Sequence, residues 1–493
     1  MGNFGKMTAL KDEMTPMLAF IAVLSSCGAW TFGWDNAWWG GIMGNAYFGS
    51  RFGDLTTTST TGVTTTTLSA MQQSVGTGLG CMIAGQIAHW GGRKLCFYWV
   101  ALISLIGVLI QVTSGIGGGR FYQMAIGKLV VGTSIGLASI AVPLYQAECA
   151  PVPIRGALVN TYVPVQSLGS WMAYCCLYTL VDESGQRVWI IPIMIQMLAP
   201  ALMIAFGFIP ESPRWLIEKG RIEDARFSLL RLRWGKKGYT PDDDLAALEQ
   251  AHQESLSAHG QARWLDCFRG SDLKRTLIVL GVQCLQHGQG IGFMSNYLVV
   301  FFLQIGFSQV YLILVIVGAL LVVLTSVGFF TQDFVGRPML LIIGAAFQGA
   351  ALMSVGGITR AFPVLASSQR NACVGLIFVW LVAFSQSWTN IPWTVSAELP
   401  SNRLRDKTLT IGAWGGYGVG AISFVSVAFV YFFLPELKGI TLEKVDALFD
   451  AGVPPRKMAT HPMRFEKAAH VENVEVQATM PTDGKEDKHE ESV

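Results

Sequence analysis

Residues 309–331 read QVYLILVIVGALLVVLTSVGFFT, a stretch that contains no charged side chain. A helix needs about 20 consecutive apolar residues to cross the hydrocarbon core of a bilayer. Stretches of this length recur along the chain, and they give eleven candidate spans: 16–39, 68–90, 95–115, 122–146, 157–181, 189–209, 276–304, 309–331, 338–358, 372–397 and 408–434. The sequence therefore predicts an all-α protein that crosses a lipid bilayer many times.

The composition supports this prediction. Of the 493 residues, 51% are hydrophobic and only 14% are charged, whereas soluble globular chains average about 25% charged residues. The formal net charge of +2 gives no indication of a nucleic-acid partner. The nine cysteines lack metal-ligand spacing, and an odd number cannot close a full set of disulfides. We expect no metal site and no cofactor. An enzyme is disfavoured, because no nucleophile–base pair or phosphate-binding loop is evident.

The charged segments divide and orient the chain. Basic residues concentrate in the loops that follow spans two, four, six, eight and ten, so the positive-inside rule predicts that these loops and the N-terminus lie in the cytosol. The longest charged segment, 210–275, separates a membrane half at 1–209 from a second at 276–434, and a polar tail follows at 435–493. Similar glycine–arginine motifs follow spans two and eight, which indicates a duplicated unit.

Several motifs resemble those of the sugar-porter family of the major facilitator superfamily. Residues 32–35 read FGWD, 143–156 read PLYQAECAPVPIRG and 210–221 read PESPRWLIEKGR. Residues 396–408, SAELPSNRLRDKT, and 435–449, PELKGITLEKVDALF, are similar to segments of the fungal sugar and α-glucoside proton symporters. The resemblance implies the major-facilitator fold, in which two six-helix bundles enclose one central substrate site that opens alternately to each side.

One departure from the family concerns length. Only the residues from Leu409 to Pro435 separate the last two motifs, whereas two spans and a turn need at least about 40 residues. The segment IGAWGGYGVG at 411–420 resembles the front of span eleven, and the residues after it resemble the back of span twelve. We therefore expect about eleven spans, with the region of spans eleven and twelve shortened.

Asp35 is the most informative single residue, because an ionised carboxylate inside an apolar span is costly and is usually functional. The family resemblance gives it a partner in span four, where Gly127-Lys128 occupies a glycine–arginine position. A lysine–carboxylate pair can neutralise itself by moving one proton. Asp35 and Lys128 are our candidates for proton coupling, and a static buried pair is the alternative.

Sugar binding calls for amides that hydrogen-bond hydroxyl groups and for an aromatic face. The candidates lie in spans five, seven and ten: Gln166, Gln286, His287, Gln289, Asn296, Asn390 and Trp393. Three family polar positions are lost, since Val163, Gly292 and His89 stand where the family has Gln, Asn and Asp. A site without these groups should bind a simple hexose poorly, which favours a larger glycoside or a less hydroxylated metabolite.

Charges at the cytosolic helix ends can form ion pairs that hold the two halves together while the outside is open. The residues that the family motifs place there are Arg93, Glu148, Arg155, Glu211, Arg214, Arg337, Glu398 and Arg405. The alternative is that these charges only satisfy the positive-inside rule.

Three functions remain open on the sequence alone. The first is proton-coupled uptake of a sugar or glycoside across the plasma membrane, with the sugar, the proton and the lipid bilayer as partners. The second is transport, including export, of a fungal secondary metabolite. The third is a non-transporting sugar sensor, which the eroded site favours and the retained Asp35–Lys128 pair disfavours.

Overall fold

The computed structural model of the chain describes residues 13–418, with short gaps. The gaps are 53–59, 117–118, 184, 237, 260–262, 297, 308, 363–364 and 402–403. All regular structure within the described residues is helical. The predicted tail at 435–493 and the part of span eleven after Gly418 lie outside the described residues.

The N-terminal half contains the first six predicted spans. Its helices are α1 (Pro16–Ile42), α2 (Ala46–Phe52), α3 (Thr60–Thr113), α4 (Phe121–Cys149), α5 (Arg155–Val159), α6 (Tyr162–Thr179), α7 (Arg187–Gln196) and α8 (Leu198–Met203). Thr15 caps α1 by accepting a hydrogen bond from the Leu18 backbone N–H at 3.2 Å, and Pro16 occupies the first turn, where its missing N–H is harmless. α3 comprises two helical arms joined at Gly92, whose φ of +87° breaks the helix.

Three helices connect the halves: α9 (Pro213–Glu218), α10 (Ile222–Leu232) and α11 (Asp242–His259). They lie beside the Gly92 turn, because Trp215 Nε1 of α9 donates to the His89 carbonyl at 3.1 Å. α10 also meets the start of α1, where Thr15 Oγ1 donates to the Leu232 carbonyl at 2.6 Å. The connecting segment is therefore packed against the N-terminal half.

The C-terminal half contains the remaining spans. Its helices are α12 (Gly270–Gln286), α13 (Gly292–Asn296), α14 (Leu298–Gln304), α15 (Val310–Val335), α16 (Arg337–Ala361), α17 (Ser367–Gln386), α18 (Ile391–Glu398) and α19 (Arg405–Gly418). The seventh predicted span is interrupted by a π-helical turn at His287–Ile291, where Gly290 has φ +91°. Such turns cluster at functional sites because they redirect side chains. The tenth span is likewise divided into α17 and α18.

Hydropathy and length agree with membrane insertion. Six described helices are long and apolar enough to cross a bilayer: Pro16–Ile42, Val75–Thr113, Phe121–Cys149, Val310–Gly328, Arg337–Ala361 and Ser367–Ser396. Arg187–Met203 is a shorter apolar helix. One core of buried apolar residues lies in the N-terminal half and includes Leu409 and Ala413 of α19, and another lies in the C-terminal half. α19 packs against α12 and α3, so the glycine-rich segment enters the bundle as a helix between the two halves.

The helix ends define two ends of the molecule. The ion-pair end contains the start of α1 and the ion pairs Arg93–Glu148 and Arg337–Glu398. At the α2 end, α1 finishes at Ile42 and α2 follows. The halves contact each other near both ends, since Tyr311 Oη of α15 donates to the Gly41 carbonyl at 3.1 Å and Thr394 Oγ1 of α18 donates to Asn160 Oδ1 at 3.0 Å.

Candidate functional site

Asp35 of α1 and Lys128 of α4 form a buried ion pair. Lys128 Nζ lies 2.7 Å from Asp35 Oδ1, and the two side chains are 1% and 0% exposed. Gln196 of α7 donates from Nε2 to the same carboxylate oxygen at 3.0 Å. Trp38 Nε1 in turn donates to Gln196 Oε1 at 2.9 Å. The carboxylate is thus held by a cation and an amide from two other helices.

Aromatic rings enclose the ammonium group. Lys128 Nζ lies 5.1 Å from the Trp38 ring centroid and 4.9 Å from that of Trp39. Burying an ion costs several kcal/mol, and cation–π contacts of about 2 kcal/mol or more at desolvated sites offset part of this cost. Sequence reasoning found Asp35 and Lys128 but missed Gln196 and Trp38. The available signals were a lone amide in the apolar segment 187–203 and an indole one turn after Asp35.

A second polar set lies where α15 and α18 face α6 across the halves. Asn390 Nδ2 donates to the Thr325 carbonyl at 3.1 Å, and Thr325 Oγ1 donates to Ser167 Oγ at 3.4 Å. Trp393 packs against Tyr162, with ring centroids 5.9 Å apart. The structure therefore brings Asn390 and Trp393 to the interface between the halves. Thr325 and Ser167 were missed, because hydroxyl residues in apolar spans give no distinctive pattern.

The π-helical turn positions the candidates of span seven. Gln286 Nε2 donates to the Trp388 carbonyl at 2.7 Å, which leaves Oε1 as the atom that can accept a hydrogen bond from a ligand hydroxyl. Gln289 is buried, and its carbonyl accepts from Trp380 Nε1 at 2.8 Å. His287 is half-buried within the turn. These contacts tie the turn to the kink between α17 and α18.

Two further candidates have less defined surroundings. Gln166 is half-buried on α6, and its backbone carbonyl accepts from Ser170 Oγ at 3.3 Å. It lies where α1 approaches most closely, because a Cβ on Gly33 would collide with the Gln166 carbonyl. The side chain of Asn296, at the end of α13, lies outside the described residues.

The charged candidates form two equivalent pairs at the ion-pair end. Arg93 binds Glu148 through two bonds, with Nη2 2.6 Å from Oε1 and Nε 2.8 Å from Oε2. Arg337 Nη2 lies 3.0 Å from Glu398 Oε2. Each arginine directly follows a glycine of positive φ, Gly92 at +87° and Gly336 at +97°. The repeat that the sequence suggests thus reappears as repeated geometry.

Glu211 completes the arrangement in the N-terminal half. Its carboxylate accepts from the backbone N–H groups of Arg93 at 3.0 Å, Lys94 at 3.1 Å and Ser212 at 2.8 Å. It therefore caps the second arm of α3 at the positive end of the helix dipole. Burial raises the pKa of Glu211, and these three N–H groups and Arg93 oppose the shift. Arg155, which follows Glu148 in the sequence, and Arg214, which follows Glu211, are both half-buried. The side chain of Arg405 lies outside the described residues.

The two pairs differ from the sequence hypothesis in one respect. We expected ion pairs that join the halves, whereas Arg93–Glu148 and Arg337–Glu398 each join two helices of the same half. The reason is geometric, because the residue after each tight glycine turn faces the end of the fourth helix of its own half. Across the halves at this end, Thr394 Oγ1 donates to Asn160 Oδ1 and the ring of Trp393 packs against that of Tyr162.

Two helical halves, a buried ion pair in an apolar bundle and polar groups between the halves define a membrane transport protein of the major facilitator type. The family model described as "Sugar (and other) transporter" matches residues 18–422. The chain belongs to this sugar transporter family, whose curated relatives are transporters and not enzymes.

Curated relatives and solved structures agree with this family assignment. The chain is 27% identical to the low-affinity glucose transporter HXT4 of Saccharomyces cerevisiae strain JAY291, over 90% of this chain and 83% of that protein. It is 28% identical to the hexose transporter HXT10 of the same species, strain ATCC 204508 / S288c, over 90% of this chain and 88% of that protein.

The proton:xylose symporter XylE bound to 6-bromo-6-deoxy-D-glucose aligns with a TM-score of 0.74 at 22% identity, covering 88% of this chain and 99% of that chain. The inward-open xylose transporter XylE from E. coli aligns with a TM-score of 0.67 at 21% identity, covering 87% and 99%. At these identities the likeness shows the fold, which is the predicted major-facilitator fold.

Proposed function

We propose that this chain carries a sugar or glycoside across the plasma membrane by alternating access, in symport with a proton. In this proposal the N-terminus and the ion-pair end face the cytosol. The observation that supports proton coupling is the Asp35–Lys128 pair, in which Lys128 Nζ lies 2.7 Å from Asp35 Oδ1 and the side chains are at most 1% exposed. Buried ionisable residues in membrane spans mark ion or proton pathways by default.

Protonation of Asp35 would break the pair. A proton that adds to the carboxylate removes the negative charge, and Lys128 then loses its counter-ion while it remains between two indole rings. Unlike an arginine, a buried lysine can also release its proton. The pair therefore has an ion-paired form of net charge zero and a form with one added proton and net charge +1, and the helices that carry it favour different positions in the two forms.

Helix α1 can transmit this change to the interface between the halves. Gly33 of α1 packs directly on the backbone of α6 at Gln166, and Gly169 of α6 packs on the backbone of α1 at Trp30. With no side chains between them, the two helices move together. α6 carries Ser167, which contacts Thr325 of the other half. A shift that begins at Asp35 would therefore reach the interface through two helices in backbone contact.

The polar groups at the interface support a hydroxylated substrate. Asn390 and Gln286 supply amides, and Trp393 and Tyr162 supply aromatic rings. Amides that hydrogen-bond hydroxyls beside an aromatic face suit a sugar ring. The relatives are described as glucose and hexose transporters, so D-glucose and maltose are the substrates to test first.

The contacts near both ends fit alternating access. Tyr311 bonds to Gly41 at the α2 end, and Thr394 bonds to Asn160 at the ion-pair end. Both hydrogen bonds are neutral and contribute about 1 kcal/mol each, and the Trp393–Tyr162 ring contact accompanies the one at the ion-pair end. Contacts of this size can be exchanged during a transport cycle, whereas the backbone packing of α1 on α6 would stay intact.

Accumulation in proteoliposomes tests the proposal. Wild-type protein should accumulate labelled sugar when the sugar-containing side is acidic. Asp35→Asn should lose accumulation yet retain exchange of labelled for unlabelled sugar, because exchange needs no net proton movement. Equal accumulation by both proteins would refute proton coupling through Asp35. Binding without flux in either direction would favour the sensor alternative.

A further inference from the structure

The buried pair raises the question of how a proton reaches it. Asp35 and Lys128 have almost no exposure, and the rings of Trp38 and Trp39 lie against the ammonium. If the pair is the proton-coupling group, as proposed above, protons must travel through the N-terminal half. A route of this kind needs polar groups along its length.

Gln111 of α3 is one such group. Its side chain is fully buried, and neither Nε2 nor Oε1 has a hydrogen-bond partner among the described residues. It packs on α4 beside Lys128, because a Cβ on Gly127 would lie 2.5 Å from Gln111 Cγ. An unsatisfied buried amide is costly, and buried polar groups of this kind are normally satisfied by internal water.

Unpartnered polar atoms continue from Gln111 to the α2 end. Gly115 lies four residues after Gln111, in the turn that follows α3, and the Trp189 ring covers it. The Arg51 guanidinium donates from Nη2 to the Gly115 carbonyl at 3.1 Å. Trp189 Nε1 and Arg51 Nε are both buried, and neither has a hydrogen-bond partner in the part of the chain that the structure describes. Arg51 is half-exposed overall, so this series of polar atoms reaches the protein surface at the α2 end.

Trp39 lies at the other end of this series, next to the Asp35–Lys128 pair. Its ring centroid is 4.9 Å from Lys128 Nζ, and its Nε1 is buried without a hydrogen-bond partner within the described ranges. Other charged residues near the α2 end are Arg120, before α4, Asp182 and Glu183, between α6 and α7, and Arg187, at the start of α7, and all four are exposed. Asp35 is thus the one carboxylate among the described residues of α1, α2, α6 and α7.

We propose that Arg51, Trp189, Gln111 and Trp39 line a narrow hydrated path that carries protons between the α2 end and the Asp35–Lys128 pair. The ligand is water, which needs two to four polar partners at each position. In the final step a hydronium ion in the path donates its proton to Asp35: one O–H bond of hydronium breaks, one forms on the carboxylate, and water remains. The sugar takes a separate route between the halves.

The test uses full-length protein in proteoliposomes with labelled D-glucose. Gln111→Leu replaces the unpartnered amide by an apolar group of similar size. Proton-coupled uptake should fall roughly tenfold or more, because positioned groups speed proton transfer by about 100-fold or more. Sugar exchange should stay within about twofold of wild type, because the proton does not leave the carrier during exchange.

Gln123→Leu is the matched control. Gln123 lies on α4 near the same end, and its amide is satisfied by the Ile110 carbonyl at 3.3 Å and Thr113 Oγ1 at 2.9 Å. This variant should retain both coupled uptake and exchange. If Gln111→Leu does not reach the membrane, Trp189→Phe removes one unpartnered N–H with little change of shape and is expected to slow coupled uptake alone.

The outcomes separate this inference from the proposed function. Wild-type rates of coupled uptake in Gln111→Leu or, failing its expression, in Trp189→Phe would overturn the path and leave symport intact. Equal loss of exchange and coupled uptake would also overturn it, since that pattern indicates general damage. Uncoupled transport by the wild type would overturn the proposed symport, and the path with it.

Discussion

Gly92 has φ +87°, and the Glu211 carboxylate lies against it on the side where a Cβ would project. The left-handed backbone costs other L-residues about 1–2 kcal/mol. A side chain here would also displace Glu211 from the N–H groups of Arg93 and Lys94. The turn, the cap and the start of the second arm of α3 therefore depend on the absence of one methyl group.

We expect Gly92→Ala to lower the free energy of unfolding by about 2 kcal/mol or more, from the backbone term together with the loss of hydrogen bonds to a carboxylate. Thermal unfolding of the detergent-solubilised protein measures the effect. Gly356→Ala is the matched control, because Gly356 lies in α16 with open space around it. A similar change in melting temperature for both variants would contradict the assignment.

Gln196 is the residue that the structure adds to the coupling site. Gln196→Leu removes the second donor to Asp35 and leaves Trp38 Nε1 without its acceptor. A hydrogen bond to a charged group contributes about 1.5–3 kcal/mol, so coupled uptake should fall roughly tenfold. Met197→Leu, one residue along, should leave uptake unchanged, and equal effects of the two substitutions would argue against the role of Gln196.

At the residue scale the sequence predicted charges better than partners. Asp35 is a rare ionisable residue in an apolar span, and the family resemblance pointed to Lys128 as its partner. Gln196 and Asp35 are 161 positions apart, and only the packing of α7 on α1 brings them together. The orientation of Gln286 likewise depends on a π-helical turn, which a period of 3.6 residues does not predict.

Helices α3 and α4 are joined at the ion-pair end by Arg93 and Glu148, whose side chains are only 7% and 8% exposed. Removing one partner of a buried pair leaves an uncompensated charge and costs about 3–5 kcal/mol, whereas replacing both partners costs much less. The double variant Arg93→Met/Glu148→Met should therefore unfold at a higher temperature than either single variant.

An exposed ion pair at the start of α10 serves as the comparison with this buried pair. Its Arg221 Nε lies 2.7 Å from Asp224 Oδ2. Its side chains are more than half exposed, so substituting either residue by Met should change stability by about 1 kcal/mol or less. Additive effects of Arg93→Met and Glu148→Met would show that the pair contributes no coupling energy.

The elements were largely predictable because membrane helices are long apolar runs. The first ten predicted spans fall on helices, and the glycine-rich segment forms α19 as far as Gly418. The breaks were not predictable in the same way. Gly290 and Gly336 look like many other glycines in the sequence, and only their positive φ angles distinguish them.

The whole molecule is two related halves, each with its own core, that contact each other at the α2 end and at the ion-pair end. The family motifs predicted the major-facilitator fold, and the alignment with the XylE structure confirms that fold. The sequence could not predict how the charged side chains pair. The motifs identify the charged residues, but their partners depend on the conformation that the protein adopts. Arg93 pairs with Glu148 and Arg337 pairs with Glu398, each within one half, and the predicted pairing across the halves stays a prediction.

The most direct test of the central claim is proton movement during sugar transport. Proteoliposomes with a pH-sensitive dye inside and no imposed gradient would receive D-glucose outside, and internal pH would be followed. Wild-type protein should acidify the lumen as sugar enters, and Asp35→Asn should admit no protons while it still exchanges sugar. Sugar entry without acidification in the wild type would contradict the account.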